Sequence, residues 1–375
     1  MKIVIERAAL ASALAYVGKA RAKSTLAVLE QVCLVVRAGV LDVTCTNMDI
    51  WCTQSLEMHD GEDGTALVNH AQLQNAVLGS PEGALIEVEH TSGAPVAAVR
   101  AGRSSFKLRV LPDTEFPLIR EVEVEPWEVS AKSLHDAMRL AQGDMYKSKH
   151  GERVHSAGEF FHVRDGVLRI VAQDFYQLVD IALGAADDVA LPNINGGFPG
   201  VLLPDASIPA MLSVLDGWDG AARLFTSDRL VRMECGSRAM VSKLIDARFP
   251  AYESLPRADT DTGYRVNATV LRDALKRAGV VLDKLHPIVT LSHTESGIFL
   301  CAAGEGGDEY RDDIPAEVLG KPPAASIKQV QFLGWLERIN ADTVTLYVDS
   351  DTNKPITVLA DTCPDVDKFI MRMAG

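Results

Sequence analysis

Apolar positions along this chain follow two periods, and one joining of the two recurs three times. Ile5, Leu10, Ala13, Leu14 and Val17 make the first copy, Val129, Leu134, Ala137, Met138 and Ala141 the second, and Val266, Leu271, Ala274, Leu275 and Ala278 the third. Each copy opens on a short β-like approach (Ile3-Val4-Ile5, Trp127-Glu128-Val129, Tyr264-Arg265-Val266). It then turns into an i, i+3, i+4, i+7 stripe, which is one buried face of an amphipathic helix. Three unrelated strand-to-helix turns would look the same locally, but the spacing argues for repetition. Leu10 to Leu134 spans 124 residues and Leu134 to Leu271 spans 137. Solenoid units run about 20–50 residues, so each of these periods is long enough to hold a domain core of its own.

A second helical run recurs inside each copy, near Asn69 to Leu78, Ile208 to Leu215 and Ile327 to Ile339. Turns such as Ser80-Pro81-Glu82-Gly83 and Asp216-Gly217-Trp218-Asp219-Gly220 follow the first two. Period-2 strands come next, as in Leu85-Ile86-Glu87-Val88-Glu89 and Val344-Thr345-Leu346-Tyr347-Val348. Each copy therefore predicts two helices against several mostly antiparallel strands, and the fold class is α+β with three repeated domains. Periodicity lapses into charge and proline over Arg120 to Pro126 and Arg257 to Gly263, which sets the expected domains at 1–123, 124–257 and 258–375.

With 375 residues and 47% hydrophobic content, the chain buries ample core without staples. Met1-Lys2-Ile3-Val4 enters the first repeat at once, and no run approaches the ~20 apolar residues of a membrane helix. A soluble cytoplasmic protein with no membrane partner is the expectation. The six cysteines, Cys33, Cys45, Cys52, Cys235, Cys301 and Cys363, form no CxxC pair and lie mostly in strand-like runs, which favours buried thiols over disulfides or zinc. His155 and His162 lie seven apart with no further ligand at metal spacing, so neither a metal nor a cofactor is expected.

A formal charge of −14, taken alone, argues against a protein that grips DNA by neutralising its phosphates. Placement changes that picture. Lys19, Arg21 and Lys23 follow the first repeated helix; Arg139, Lys147 and Lys149 lie on and after the second; Arg272, Lys276, Arg277 and Lys284 on and after the third. Equivalent helices facing one side would give a basic lining on an acidic body. Three ordinary solvated helix faces account for the same residues, and charge alone favours that plainer account. No GxxxxGK[ST], GxGxxG, HExxH or GxSxG occurs, and Gly304-Glu305-Gly306-Gly307-Asp308-Glu309 lacks the ligand spacing of an EF-hand loop. A repeated architecture without a concentrated catalytic constellation points to a binding scaffold rather than an enzyme.

Two segments carry a resemblance. Ala101-Gly102-Arg103-Ser104-Ser105-Phe106-Lys107-Leu108 with Leu111-Pro112-Asp113-Thr114-Glu115-Phe116-Pro117, and Ser242-Lys243-Leu244-Ile245-Asp246-Ala247-Arg248-Phe249-Pro250-Ala251-Tyr252, each run a strand into a Phe-Pro exit. Together with Met1-Lys2-Ile3, Glu6-Arg7, Thr25 to Leu29 and Met371-Arg372-Met373, they resemble the bacterial sliding clamps, the β subunits of DNA polymerase III, over essentially the whole chain.

The resemblance implies a head-to-tail homodimer of two three-domain chains, closing a six-domain ring around duplex DNA. It implies DNA contact by Lys19, Arg21, Lys23, Lys147, Lys149 and Lys284, and a dimer interface of Phe106 and Leu108 against Val280 and Val281. A plain core role for Phe106 and Leu108 stays open. A groove for short peptides of polymerase subunits and the clamp loader would use Ser156, Gln173, Phe175, Tyr176, Gln177, Leu178, Pro250, Ser254, Leu255, Thr352, Met371, Arg372 and Met373. Here the chain departs from the family. Asp174-Phe175-Tyr176-Gln177-Leu178 stands where most members carry Asp-Gly-His-Arg-Leu, Ser156 replaces an apolar residue, and Arg372 replaces a proline. A specialised clamp with a different partner set is the alternative. A three-domain α+β enzyme with a cleft near His155, Asp174 and Tyr176 is the more distant one.

Overall fold

A computed structural model describes residues 1–22, 24–117, 122–147, 151–193, 199–304 and 306–373. The elements pass three times through one order: strand, long helix, three strands, strand, helix, three strands. The first pass is β1 (Lys2–Glu6), α1 (Arg7–Val17), β2 (Gln31–Arg37), β3 (Val40–Thr46), β4 (Ile50–Glu57), an extra short β5 (Asp60–Glu62), β6 (Gly64–Asn69), α2 (His70–Leu78), β7 (Leu85–Glu89), β8 (Val96–Ala101) and β9 (Ser104–Leu111). The second is β10 (Trp127–Ser130), α3 (Ala131–Ala141), β11 (Gly158–Arg164), β12 (Val167–Gln173), β13 (Gln177–Ala185), β14 (Gly200–Pro204), α4 (Ile208–Leu215), β15 (Ala221–Thr226), β16 (Leu230–Cys235) and β17 (Arg238–Lys243). The third is β18 (Gly263–Asn267), α5 (Ala268–Ala278), β19 (Ile288–Thr294), β20 (Gly297–Ala303), β21 (Glu309–Leu319), β22 (Ala325–Lys328), α6 (Gln329–Arg338), β23 (Thr343–Tyr347), β24 (Ile356–Ala360) and β25 (Cys363–Ile370).

The helices form where the 3.6-residue stripes lie. Leu10, Leu14 and Val17 of α1, Leu134, Met138 and Ala141 of α3, and Leu271, Leu275 and Ala278 of α5 are all buried, each leucine contributing about 1.5–3 kcal/mol. Polar side chains cap three helix starts. Asn69 Oδ1 accepts from Gln72 N, Ser130 Oγ from Ser133 N and Asn267 Oδ1 from Val270 N, each satisfying a donor with no partner inside the helix.

Two compact units hold the chain: Met1–His135 with Ala206–Leu244, and Asp136–Asp205 with Ile245–Gly375. The first carries a 13-stranded sheet and the second a 12-stranded one. In the first, β4 pairs antiparallel with β17, Trp51 opposite Val241. In the second, β13 pairs antiparallel with β25, Leu178 opposite Phe369. Each sheet thus joins the third strand of one pass's opening meander to the last strand of the next pass.

Two strands of this kind are left over. β9 pairs β8 over Ser104 to Arg109 and meets β6 only at Val110 and Leu111. β21 pairs β20 over Glu309 to Pro315 and β18 over Ala316 to Leu319. Among the described residues, one backbone edge of 104–109 and one of 309–315 therefore stay unpaired. None of the helices among the described residues is long and apolar enough to cross a membrane.

Candidate functional site

The second unit carries an apolar groove of about 330 Å³. The β12–β13 hairpin supplies Gln173, Phe175, Gln177 and Leu178; the segment after β17 supplies Pro250, Ala251, Tyr252, Ser254, Leu255 and Pro256; Phe369 and Met371 come from β25 and the residues beyond it. Beneath it lies a core of Val171, Leu178, Leu202, Phe249, Tyr252 and Phe369, with Phe160, Ile245 and Leu255 packed alongside. Phe160 stacks on Phe249 at 4.9 Å between ring centroids, which stiffens this wall.

A buried charge network holds the groove floor. Lys368, one residue before Phe369, is fully buried and its ammonium donates to Asp144 and to Gln177 Oε1, the latter at 2.7 Å. Arg338 Nη2 reaches the second Asp144 oxygen at 2.5 Å. Gly143 is needed for that approach, since a Cβ there would stand 1.9 Å from the guanidinium. Gln177 Nε2 donates to Gly143 O at 3.3 Å and Asp174 Oδ2 at 3.2 Å, and Gln331 Nε2 also reaches Asp174 Oδ2. Burial lowers the Lys368 pKa, and Asp144 opposes that shift. Burial likewise raises the Asp174 carboxyl.

Tyr252 forms the other wall. Its hydroxyl lies 2.8 Å from His162 Nε2 and accepts from Arg164 Nη1 at 3.0 Å. Burial first, then Arg164 and Arg169, push the His162 pKa down to about 3. The imidazole is thus neutral at pH 7, so its Nε2 can accept the tyrosine proton. Asp180 anchors both arginines, Arg169 at 2.7 Å and Arg164 at 3.3 Å.

Phe175 sits at the hairpin tip with φ +74°, a left-handed conformation rare for a bulky side chain. Asp174 Oδ1 accepts from the amides of Tyr176 and Gln177 and fixes the turn. The first unit repeats this hairpin: Met48 has φ +73°, and Asn47 Oδ1 accepts from Asp49 and Ile50 N. There Trp51 takes the position of Leu178, buried, with its indole Nε1 donating to Pro117 O at 3.2 Å.

Of the groove residues expected from sequence, Gln173, Phe175, Gln177, Leu178, Pro250, Ser254, Leu255 and Met371 line it. Ser156 is buried and bonded to Gln173 Nε2, behind the lining. Tyr176 lies under the Lys328 ammonium, and Thr352 is exposed on the loop before β24. Arg372 turns away, donating to the carbonyls of Asp349, Asp351 and Ala324, and Met373 bridges to Ser326. Ala251, Tyr252, Pro256 and Phe369 were missed; the Phe-Pro exit just before Ala251 and Tyr252 was the available signal.

Lys19, Lys147 and Lys284 are exposed and Arg21 is half-buried, while Lys23 and Lys149 lie outside the described residues. Val280 is 85% exposed and Phe106 38%, and Val281 is half-buried. The Leu108 side chain is only 8% exposed, although its strand keeps an unpaired backbone edge.

Three passes of two helices over antiparallel sheets, with one apolar groove of this build, define the clamp class of fold. A family model described as DNA polymerase III beta subunit, N-terminal domain, matches residues 1–120. The beta sliding clamp of Salmonella typhimurium is 24% identical over 352 residues, 92% of either chain, and that of Escherichia coli K12 is 26% identical over 326 residues, 85% of either. The crystal structure of the DNA polymerase III subunit beta from Pseudomonas aeruginosa superposes with a TM-score of 0.92 over 100% of both chains, at 23% identity. The chain therefore has the fold of the bacterial β sliding clamps, and its first 120 residues match the model of their N-terminal domain.

Proposed function

We propose that this protein is a DNA sliding clamp, a non-catalytic processivity subunit acting in the cytoplasm. Two copies, each of three domains (1–123, 124–257 and 258–375), close head to tail into a ring around duplex DNA. The groove tethers polymerase subunits and a clamp loader through short linear peptides. Exposed Lys19, Lys147 and Lys284, with Arg21, contact phosphate without reading sequence.

The observation that carries this reading is the pair of unpaired edges on β9 and β21. Both internal junctions join the same two strand types, so the strands left over complete the series when a second copy is present. Such a heterologous contact closes into a ring if the rotation closes. The repeat also supplies a register. Thr46, Gln173 and Ala303 occupy equivalent hairpin positions opposite Trp51, Leu178 and Glu309. Arg238 and Ser104 likewise open β17 and β9 after two-residue turns. Transferring the β4–β17 pairing sets Glu309 opposite the partner copy's Lys107, and Tyr310 opposite its Phe106. β25 keeps this register once its shift near Val358 is allowed for.

Sedimentation tests the contact. Lys107→Glu sets like charges opposite each other and weakens the dimer roughly tenfold, given about 0.2–1 kcal/mol for a favourable cross-strand pair and a similar penalty for like charges. Adding Glu309→Lys restores it. A double variant no tighter than the single one would overturn the register. Loading with a clamp loader and ATP should then give retention on nicked circular DNA alone, and equal loss from circles and linear molecules would overturn the clamp reading.

A further inference from the structure

The groove is lined by neutral side chains, yet two cations flank it without a counter-ion. Arg153, beside the hairpin tip, lays its guanidinium 4.4 Å from the centre of the Phe175 ring and 5.7 Å from that of Tyr146. Lys328, at the end of β22, holds its ammonium 3.1 Å above the Tyr176 ring. Neither forms an ion pair with any carboxylate among the described residues, in a chain whose net charge is −14. Acidic residues exceed basic ones 51 to 37, yet these two cations border one groove with no carboxylate paired to either.

Both are held in place by rings rather than by salt bridges. Phe175 keeps its position through a left-handed backbone that costs of order 1–3 kcal/mol, and its edge contacts with Tyr146 and His155 pin the ring. Tyr176 is tied to the groove by its carbonyl, which accepts from Met371 N at 2.7 Å. A cation lying on an aromatic face keeps most of its N–H groups for an incoming acceptor. Inside the groove the amide of Gln177 is already engaged by Lys368, Asp174 and Gly143, so the lining offers apolar contact and the rim offers charge.

We infer that the groove selects peptides carrying acidic residues on the flanks of their apolar anchors, with Arg153 and Lys328 as the specificity-determining residues. This rests on the peptide-groove reading above and names the chemistry of its occupant. Single-stranded nucleic acid is the competing anionic ligand. It is disfavoured because base stacking needs open aromatic faces, and Arg153 and Lys328 each occupy one face of Phe175 and Tyr176.

Fluorescence anisotropy with the full-length protein and three labelled nonapeptides tests the inference. All share one apolar core and differ in flanks of Asp/Glu, Asn/Gln or Lys. At ~0.1 M salt the acidic peptide should bind roughly tenfold more tightly than the neutral one, as expected for two exposed ion pairs, with the lysine peptide weakest. Raising the salt to ~0.5 M should remove most of that spread. Arg153→Met and Lys328→Met, which keep the apolar stems, should each narrow the ratio between acidic and neutral peptide affinities. Equal affinity for acidic and neutral peptides would overturn the charge selection and leave the groove reading standing. Absence of binding by all three, or binding unchanged in the groove variant Leu178→Asp, would overturn the groove reading itself. A preference that persists in the Arg153→Met, Lys328→Met double variant, or tighter competition by a single-stranded oligonucleotide than by the acidic peptide, would also refute the assignment.

Discussion

Glu159 of β11 should make this protein less stable as pH rises, and replacing it should remove that dependence. Its side chain is 0% exposed, and neither carboxyl oxygen has a hydrogen-bond partner. Burial alone raises its pKa well above the ordinary carboxyl range, so the native state holds a proton that an unfolded chain releases above about pH 4.3. The unfolded state then binds fewer protons, and stability falls by about 1.4 kcal/mol per pH unit until the native carboxyl itself ionises. The loss accumulates over the pH range in which the unfolded carboxyl is ionised and the native one still holds its proton. Glu159→Leu removes both the buried acid and the slope. Glu159→Gln also removes the slope but buries an amide without partners, at a pH-independent cost of about 1–3 kcal/mol. Urea midpoints for parent and both variants at pH 5, 6 and 7 decide the matter. The parent should drop relative to the Glu159→Leu variant with each unit, while the two variants keep a constant separation. A parent curve parallel to both would refute the claim that Glu159 is buried as an unpaired acid.

Two further expectations follow from the groove. Lys368→Met leaves the Asp144 carboxylate buried against Arg338 alone, so it should cost about 3–5 kcal/mol of stability and weaken peptide binding through the unanchored Gln177; urea unfolding and peptide titration read the two effects, and an unchanged groove affinity would free Gln177 from its assigned role. Phe175→Gly relieves the left-handed backbone, of order 1–3 kcal/mol, but loses the ring's packing and adds glycine's unfolded-state freedom, together of about the same size. Its melting temperature should therefore stay close to the parent's while the groove accepts bulkier peptides, and a large drop in melting temperature would mean that the ring is structural.

The helices and the three-fold order were legible because burial imposes a 3.6-residue stripe that Leu10, Leu134 and Leu271 reproduce in step. Strand Leu85–Glu89 was legible for the same reason at period two. Lys368 was not, because in Cys363–Ile370 it sits among alternating charges that read as a solvated face, and only the partner strand and Asp144, 224 residues earlier in the chain, show that it is interior. Arg372 misled for the opposite reason. A resemblance carries position but not direction, and its guanidinium follows the carbonyls of Asp349 and Ala324 instead of the groove. Leu108 shares its strand face with Phe106, yet the sequence does not say how far along a strand its own core extends.

Trp51 bears on how many clients the assembled protein serves at once. The first unit builds the same hairpin and the same Phe-Pro exit as the second, but fills the position of Leu178 with an indole anchored to Pro117. If the groove of the second unit is the berth, the proposed closed pair would offer two. The proposed polymerase and loader partners would then have to take turns at those two places, with the order of events set by competition and local abundance. In the proposed ring, a single tryptophan at the Leu178 position of the first unit would in this way limit access to the enclosed DNA.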